Sequence, residues 1–475
     1  MNRFMLTGLW LLIPVVFLAA QEDDNAGFGF GFGNETAAVA AQPGVNVSGE
    51  VAALVLGFGD DFSSADSLKQ ASLGDIFSGK IKFAASAFNA DGVINLNLAP
   101  VFDGSSPVHI DEAYIRLYIG AFTFEGGLRK LTWGKADTFG PLDVVNPLDY
   151  TDLTSMTDLL GMKIPRPLLH LSYRLGSFSA LEGLVIPAFV GHRFAPNGRW
   201  APAQFTRYPE LMQSRIAQAL AEHPGLIAPD GIQKIQEHYA QLDIASFYPR
   251  TFGLEYIQAG LRFTTTLGSS DLGIQYFYGN LFRPAITITG EADFIKDPYG
   301  IQPKLRYNRY HQIGVDYAQV IANFNLRAEL AANITEDLSG DDGSVYNPAI
   351  AWSLGFDRDL VWGLKLNCQA TESIRLMYSQ IGDNPSLDTE AGLSMTSTRI
   401  IMALSRAFFR DALELKITGI WGIEDKDFYL IPALIFTHGD LEAELSGGIL
   451  GGDEAGELGQ YRKNSFVKAM LTYTF

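Results

Sequence analysis

The chain has almost no cysteine, few charged residues and, beyond its first residues, no long apolar run. Cys368 is the only cysteine among 475 residues, so no disulfide can form within the chain. Downstream of the N-terminal segment no window of about 18 uninterrupted apolar residues occurs, which argues against helical membrane spans. Charged residues amount to 19%, and the formal net charge of −18 disfavours nucleic acid as a partner.

Recognisable catalytic and metal-binding motifs are missing as well. Neither Gly-x-Ser-x-Gly nor His-Glu-x-x-His occurs. The seven histidines are scattered, and His223 and His238 lack the spacing of metal ligands. The aspartates of residues 131–166 lack the EF-hand pattern. The sequence therefore predicts no enzyme, no metal and no cofactor, although a barrel phospholipase could hide a Ser–His pair that spacing does not reveal.

The first residues have the composition of a signal peptide. Arg3 supplies a positive charge, the run from Phe4 to Leu18 is mostly apolar, and Ala19-Ala20 offers small residues for cleavage. A membrane-anchoring helix is the alternative, but the run is shorter than the ~20 apolar residues that a span needs. We therefore predict a cleaved signal peptide at 1–20, followed by a flexible leader rich in Gly, Phe and Ala at 21–44.

What the sequence has in abundance is glycine and aromatic residues, with 48 Gly, 32 Phe and 19 Tyr, a composition that suits many short strands. From residue 45 onward apolar residues recur with a period of two, as in 111–119, where every second residue from Ala113 to Ile119 is apolar. Successive strand side chains point to opposite faces, so each segment has one apolar and one polar face. A soluble sandwich would show the same alternation.

The lengths of the connections separate these two folds. Long connections, such as 131–166 and 193–251, alternate with tight ones, such as Gly120-Ala121 and Gly176–Phe178. Long loops on one rim and tight turns on the other are typical of outer-membrane barrels. We predict an all-β fold over 45–475, a transmembrane antiparallel β-barrel of about 18 strands (16–18), with long outer loops and tight periplasmic turns.

The end of the chain supports the same fold. Leu471, Tyr473 and Phe475 lie on one face of a strand that stops at the chain end. This ending resembles bacterial outer-membrane barrels, whose last strand carries aromatics on the lipid face and a C-terminal Phe. The resemblance implies a bacterial outer-membrane location, contact with its lipid, and recognition by the barrel-assembly machinery.

If the apolar face meets lipid, the opposite face lines a lumen. The candidate pore-lining residues on that face are Glu112, Arg116, Glu125, Arg129, Arg174, Arg262, Arg327, Glu329, Lys416, Glu442 and Glu444. Ionised side chains need water or close partners, so the lumen is either a wet channel of mixed charge or a plug of internal salt bridges. A barrel of about 18 strands is wide enough to leave an aqueous channel, which favours the first.

The segment 131–166 is the candidate constriction. Its candidate residues are Trp133, Asp137, Asp143, Asn146, Asp149 and Asp152. It resembles the third long loop of general porins, which folds inward and narrows the pore. The alternative is a loop that packs outside the lumen and only caps the rim.

Part of this region also resembles a known family. The matching residues are Gly127, Trp133-Gly134, Asp137, Asp143 and Asn146-Pro147-Leu148-Asp149. They are similar to a porin-like outer-membrane barrel family known mostly as a domain of unknown function. The match covers about residues 125–175 and implies the barrel fold rather than a substrate.

Residues 193–251 form the longest connection. Apolar spacing predicts one short helix between Pro209 and Glu222, and a second one that begins near Asp230 as its N-cap. The apolar helix faces need cover, so they fold into the barrel mouth as a gate, pack on the rim, or bind a partner.

Together these features predict a channel for passive diffusion of small hydrophilic solutes, narrowed by residues 131–166. Two alternatives stay open. One is a specific transporter for apolar or aromatic substrates, with residues 193–251 as its lid. The other is a surface adhesin that uses its long loops. The solute, the ion preference and the oligomeric state are left open by the sequence.

Overall fold

The computed structural model describes residues 43–59, 77–99, 107–203, 229–240, 247–288 and 303–475, and the single positions 217, 221 and 299. In this part of the chain eighteen strands form one antiparallel sheet that closes on itself. The strands are β1 (Gly44–Phe58), β2 (Phe77–Ala87), β3 (Ala90–Leu98), β4 (Val108–Ile119), β5 (Phe122–Arg129), β6 (Arg166–Leu175), β7 (Ser179–Ile186), β8 (Gln258–Leu267), β9 (Ser270–Asn280), β10 (Arg309–Ile321), β11 (Phe324–Thr335), β12 (Ala349–Asp359), β13 (Leu364–Arg375), β14 (Thr396–Phe408), β15 (Leu413–Gly422), β16 (Asp427–His438), β17 (Leu441–Gly452) and β18 (Phe466–Thr474).

The barrel closes between its first and last strands. β1 pairs antiparallel with β18, from Glu50 opposite Thr474 to Phe58 opposite Phe466. Phe475 extends this seam, because its backbone exchanges two 2.9 Å hydrogen bonds with Gly49. Closure satisfies the backbone groups that an open sheet would leave exposed at its edges. The predicted fold, a closed antiparallel barrel of about 18 strands, is confirmed.

Two predicted strands have different bounds in the structure. They flank the connection predicted at 193–251: the strand before it already ends at Ile186, and the strand after it begins only at Gln258. Just after Ile186 the chain leaves the wall, because Phe189 is fully buried, with its ring 4.6 Å from that of Tyr307. A side chain packed among loop residues cannot also continue the outward face of a strand.

The outward face of the barrel is a continuous apolar surface. Large apolar side chains such as Ile115, Val315, Leu354 and Leu445 are about half exposed along it, between 44% and 60%. An exposed apolar belt of this extent is costly in water and matches the hydrocarbon region of a bilayer. The architecture is therefore that of a membrane-spanning barrel.

Two short helices lie in the connections, α1 (Leu159–Met162) and α2 (Pro229–Ala240). The second confirms the helix predicted near Asp230, but it begins at Pro229, so Asp230 lies within it and is not its N-cap. Of the helix predicted between Pro209 and Glu222 only Ala217 and Ala221 are described, and both are helical. No helix in the described part of the chain is long and apolar enough to cross a membrane. The predicted segment 1–20 and residues 21–42 of the leader predicted at 21–44 also lie outside the described residues, whereas Gly44 is already part of β1.

Candidate functional site: a loop folded into the barrel

The connection from β5 to β6 does not stand above the rim but returns into the barrel. Its two ends are joined by Asn146, which is 2% exposed. The Asn146 Oδ1 accepts the backbone N–H of Leu131 at 2.7 Å, and its Nδ2 donates to the carbonyls of Arg129 and Ile164 at 3.1 and 2.9 Å. One buried amide therefore uses donors and acceptor to hold the loop entrance closed. We refer to residues 131–165 as the inner loop.

The first half of the inner loop reaches the wall at β11. There the carboxylate of Glu329, 4% exposed, accepts the backbone N–H groups of Ala136 and Leu142 at 2.7 and 3.2 Å, and that of Lys135. This close approach requires glycine at 134, where φ is +95° and a Cβ atom would lie 2.3 Å from Glu329 Oε1.

Glutamine side chains of neighbouring strands continue this anchoring. Gln275 on β9 donates to the Leu142 carbonyl at 2.9 Å, and Gln312 on β10 donates to the Pro141 carbonyl at the same distance. On β13, Gln369 accepts the Thr138 N–H at 3.1 Å. Side chains of three strands of the inner wall therefore bind the loop backbone through directional hydrogen bonds.

The second half of the inner loop packs on a different part of the wall. Leu153, Met156, Leu159 and Met162 are buried against inward side chains of β14 to β18. The inward residues of this apolar wall are Ile401, Ile420, Tyr429, Ile431, Leu450 and Phe466. Each buried side chain of this size contributes about 1.5–3 kcal/mol relative to exposure. The Tyr429 hydroxyl adds a 2.9 Å hydrogen bond to the Leu153 carbonyl.

The structure places the six predicted constriction residues mainly in loop packing. Trp133 is 1% exposed and meets Phe277 edge to face, and Asp137 forms an ion pair with Arg327. Lys163 lies 2.7 Å from Asp143, yet burial still raises the pKa of the Asp143 carboxyl. The other three members are Asn146, described above, and Asp149 and Asp152, which accept the N–H of the residue two positions later at 3.0 and 2.8 Å.

The predicted pore-lining residues form networks on the inner wall. Glu125 accepts from Arg116 Nε at 2.5 Å, pairs with Arg129, and lies 3.0 Å from His170 Nδ1. His170 Nε2 lies 3.2 Å from Glu182. Arg116 and Glu125 are only 7% and 6% exposed. These side chains hold one another, and their contact with an aqueous path stays a prediction.

The remaining predicted pore-lining residues are dispersed. Glu112 accepts from Asn95 at 2.8 Å, and Arg262 pairs with Asp316 at 2.8 Å. Arg327 pairs with Asp137 and Asp357, and Glu329 holds the inner loop as described. Arg174 lies at the tight-turn rim, where it donates to the Gly120 carbonyl at 3.4 Å. Near the same rim Glu444 of β17 pairs with Lys468 at 3.1 Å; Glu442 lies on the same strand, and Lys416 lies on β15.

One exposed pair of charges on the inner wall lies on β1 and β2. Lys80 and Glu50 are cross-strand partners 2.8 Å apart, and their side chains are 58% and 37% exposed. Asp158, the N-cap of α1, and Leu160 within it are exposed, and the Asp158 carboxylate acts electrostatically on Lys80. The exposed edge of the inner loop therefore faces a charged, water-accessible strip of β1 and β2.

Sequence reasoning missed both this strip and the apolar wall. The signal for the apolar wall was present, since residues 428–436, FYLIPALIF, are apolar on both faces of β16. A strand that alternates has a polar inner face, which can meet water. A strand that is apolar on both faces needs an apolar partner on its inner face as well, so it indicates that something packs there. The strip carried a signal as well, because Lys80 and Lys82 recur with the strand period.

Comparisons with known proteins add a likeness of fold. No protein-family model matches the chain, and no curated protein matches it, so the porin-like family of unknown function stays a prediction. OccD3 (OpdP) of Pseudomonas aeruginosa is 9% identical, with 93% of each chain covered and a TM-score of 0.46. Wzi of Escherichia coli, described as a carbohydrate-binding β-barrel, is 11% identical, with 90% of this chain and 84% of Wzi covered and a TM-score of 0.44.

The outer membrane channel DcaP of Acinetobacter baumannii is 10% identical, with 91% of this chain and 98% of DcaP covered and a TM-score of 0.40. At these identities and TM-scores the likenesses carry no conclusion about activity. The class that the fold and the site define is a closed membrane-spanning β-barrel with one connection folded inside it.

Proposed function

We propose that this protein is a bacterial outer-membrane channel for the passive diffusion of small hydrophilic solutes, and that the inner loop narrows its lumen. A closed barrel of eighteen strands has an interior wider than its own side chains can fill. Its contact partners would be outer-membrane lipid and the solutes that pass. We propose no catalytic activity for it.

The observation that carries this proposal is the position of the inner loop. It is held on both sides of the interior, by Glu329 on β11 and by the apolar wall around Tyr429 on β16. At the N-terminal end of α1, Asp158 lies close enough to Lys80 to act on it electrostatically, and Lys80 pairs with Glu50. Solutes would therefore pass between α1 and the strip on β1 and β2.

Adjacent residues of α1 offer a matched test. Leu159 is 9% exposed and packs on the apolar wall, whereas Leu160 is 56% exposed. A carboxylate at 159 would be buried without a partner, so Leu159→Asp should release α1 from the wall. Leu160→Asp places the same charge in water and should leave α1 in place.

The measurement is ion conductance of the refolded protein in planar bilayers. We expect steady conductance from the wild type, a larger and noisier conductance from Leu159→Asp, and wild-type conductance with a shift toward cations from Leu160→Asp. Equal conductance in all three proteins would contradict the constriction. Absence of conductance in the folded wild type would contradict the channel itself.

A further inference from the structure

Three charged side chains from distant parts of the sequence meet inside the loop-bearing end of the barrel. Arg399 is inward-facing near the start of β14, Arg283 lies just after β9, and Glu457 precedes β18. Arg399 donates to Glu457 Oε2, and Arg283 lies 3.4 Å from Glu457 Oε1. The three side chains are 23%, 40% and 41% exposed, so water reaches all of them.

The two guanidinium groups have more donors than this carboxylate can use. A guanidinium carries five N–H donors in a planar fork that matches a carboxylate through two parallel bonds. Arg283 contacts Glu457 at a distance well beyond the ~2.7–2.9 Å of a good charge-assisted bond. A second carboxylate can therefore bind to Arg283 without displacing a strong contact.

Aromatic rings lie near these guanidinium groups, since Arg283 acts electrostatically on both Tyr150 and His192. The guanidinium directly over the Phe282 ring is that of Arg166, at 5.8 Å. Phe282 precedes Arg283, and its ring is 5.2 Å from that of His192. Tyr150 of the inner loop is 5.2 Å from His192 and stacks on Phe194 at 5.5 Å. These rings are half-buried, so each presents part of its surface to the interior. Flat apolar surfaces next to a guanidinium suit a solute with a planar ring.

The protonation states of the groups around the site follow from burial and from neighbouring charges. Burial lowers the pKa of His192 to about 3 and raises the pKa of Tyr150 to about 12, so both rings are neutral near pH 7. Burial tends to raise the pKa of Glu457, but Arg399 and Arg283 outweigh it and hold that pKa at about 2. The carboxylate of Asp425 also lies close and accepts the backbone N–H of Glu457. The two guanidinium groups and the two carboxylates therefore sum to a formal charge of zero, so an anion would be held here by directed donors rather than by net charge.

We propose that Arg283 and Arg399 form a binding site for the carboxylate of a small aromatic acid, with its ring beside Phe282 and Tyr150 and with Glu457 as the internal carboxylate that the solute partly replaces. This inference rests on the proposed function, since the solute enters through the barrel. It adds a substrate class and two specificity-determining residues to the channel.

Equilibrium binding to the refolded, detergent-solubilised protein tests the site without requiring conduction. The probes are benzoate, its neutral analogue benzamide, and acetate, followed by saturation-transfer NMR. We expect saturable benzoate binding, with benzamide at least about tenfold weaker because it lacks the charge. Acetate should bind more weakly than benzoate because it lacks the ring. Equal binding of benzoate and benzamide would overturn the proposal.

Variants assign the binding to these residues. Arg283→Gln and Arg399→Gln should each weaken benzoate binding about five- to tenfold, since each removes one charged fork. Arg306→Gln is the matched control, because Arg306 is 39% exposed and pairs with Glu336 outside the site. Glu457→Gln removes the internal competitor and should strengthen benzoate binding. Loss of affinity in Arg306→Gln equal to that in the site variants, or no loss in either site variant, would reject the assignment.

The same protein in bilayers separates the two proposals. Reduction of the ionic current by benzoate but not by benzamide, absent in Arg283→Gln, would support both. Steady conductance with no saturable benzoate binding would reject the site and leave the channel. Benzoate binding by a folded protein that conducts no ions would reject the channel and leave the site.

Discussion

The two halves of the inner loop are held by two different kinds of wall. The first half meets carboxylate and amide side chains of β9 to β13, which bind its backbone through directional hydrogen bonds. The second half meets aliphatic and aromatic side chains of β14 to β18. Directional bonds fix a position, whereas apolar contact is non-directional and scales with area. The first half therefore sets where the loop lies, and the second half sets how firmly α1 is held down.

The largest effect is expected at Glu329, in the polar half. Glu329→Leu would leave three buried backbone N–H groups without an acceptor, at about 1–3 kcal/mol each. We expect a lower unfolding temperature and a noisier conductance. Glu329→Gln keeps one acceptor oxygen and should lose less. Thermal unfolding, followed by the heat-dependent gel mobility of the barrel, gives the unfolding temperatures of both variants. Equal stability of Glu329→Leu and wild type would contradict this anchoring.

A smaller effect is expected at Leu153, in the apolar half. Leu153 is 4% exposed in the cluster with Tyr429, so Leu153→Ala should cost about 2–3 kcal/mol, at the low end for buried leucine because a loop can partly collapse. If the two halves act as described, this variant raises conductance noise less than Glu329→Leu does. Leu387→Ala, at an exposed loop leucine, is the control and should leave stability unchanged. A larger noise increase in Leu153→Ala would reverse the comparison.

The sequence predicted the strands of the barrel wall better than the contacts that their side chains make inside the barrel. Period-two alternation predicts β4 and β5 because successive side chains of a strand point alternately to the outer face and to the interior of the barrel. The same rule places Glu125 and Glu329 on the inner face, but it cannot tell that one binds His170 and Arg116 while the other binds loop N–H groups more than 180 residues earlier. Those contacts depend on where a long loop lands, and no local pattern encodes that.

The motif residues illustrate the same limit. Asn146 is one of the predicted constriction residues of the segment 131–166, and it also lies in the Asn-Pro-x-Asp motif. In the structure its amide closes the loop entrance through three hydrogen bonds. The residue type was informative, since a buried amide must find partners on all sides. Its role followed only from the neighbouring backbone.

Tyr429 offers a sharper and smaller test of the apolar half. Tyr429→Phe keeps the ring in its cluster and removes the 2.9 Å bond to the Leu153 carbonyl. The loss should be about 1 kcal/mol, the net value of one such bond. Tyr429→Ala would in addition remove a fully buried ring and cost about 3–5 kcal/mol. Similar unfolding temperatures for the two variants would mean that the ring contributes little, contrary to the apolar wall described above.

The smallest effect is expected from acid, at the ion pairs above the inner loop. The surrounding protein partly desolvates the Glu457 carboxylate, but Arg399 and Arg283 outweigh this effect and hold its pKa at about 2, below its usual value near 4.5. A carboxyl whose pKa is depressed by folding stabilises the folded state above its unfolded pKa, and that contribution is lost as the pH falls toward the folded pKa. Stability should therefore drop between about pH 5 and pH 2, and this part of the drop should vanish in Glu457→Gln. Unfolding temperatures of both proteins at pH 6 and pH 3 measure it, and since Glu457 is well exposed the difference should be small. An identical pH dependence in both proteins would place the acid sensitivity in other carboxylates, such as the buried ones that hold the inner loop. Glu457 would then not be one of the groups whose ionisation stabilises the folded barrel.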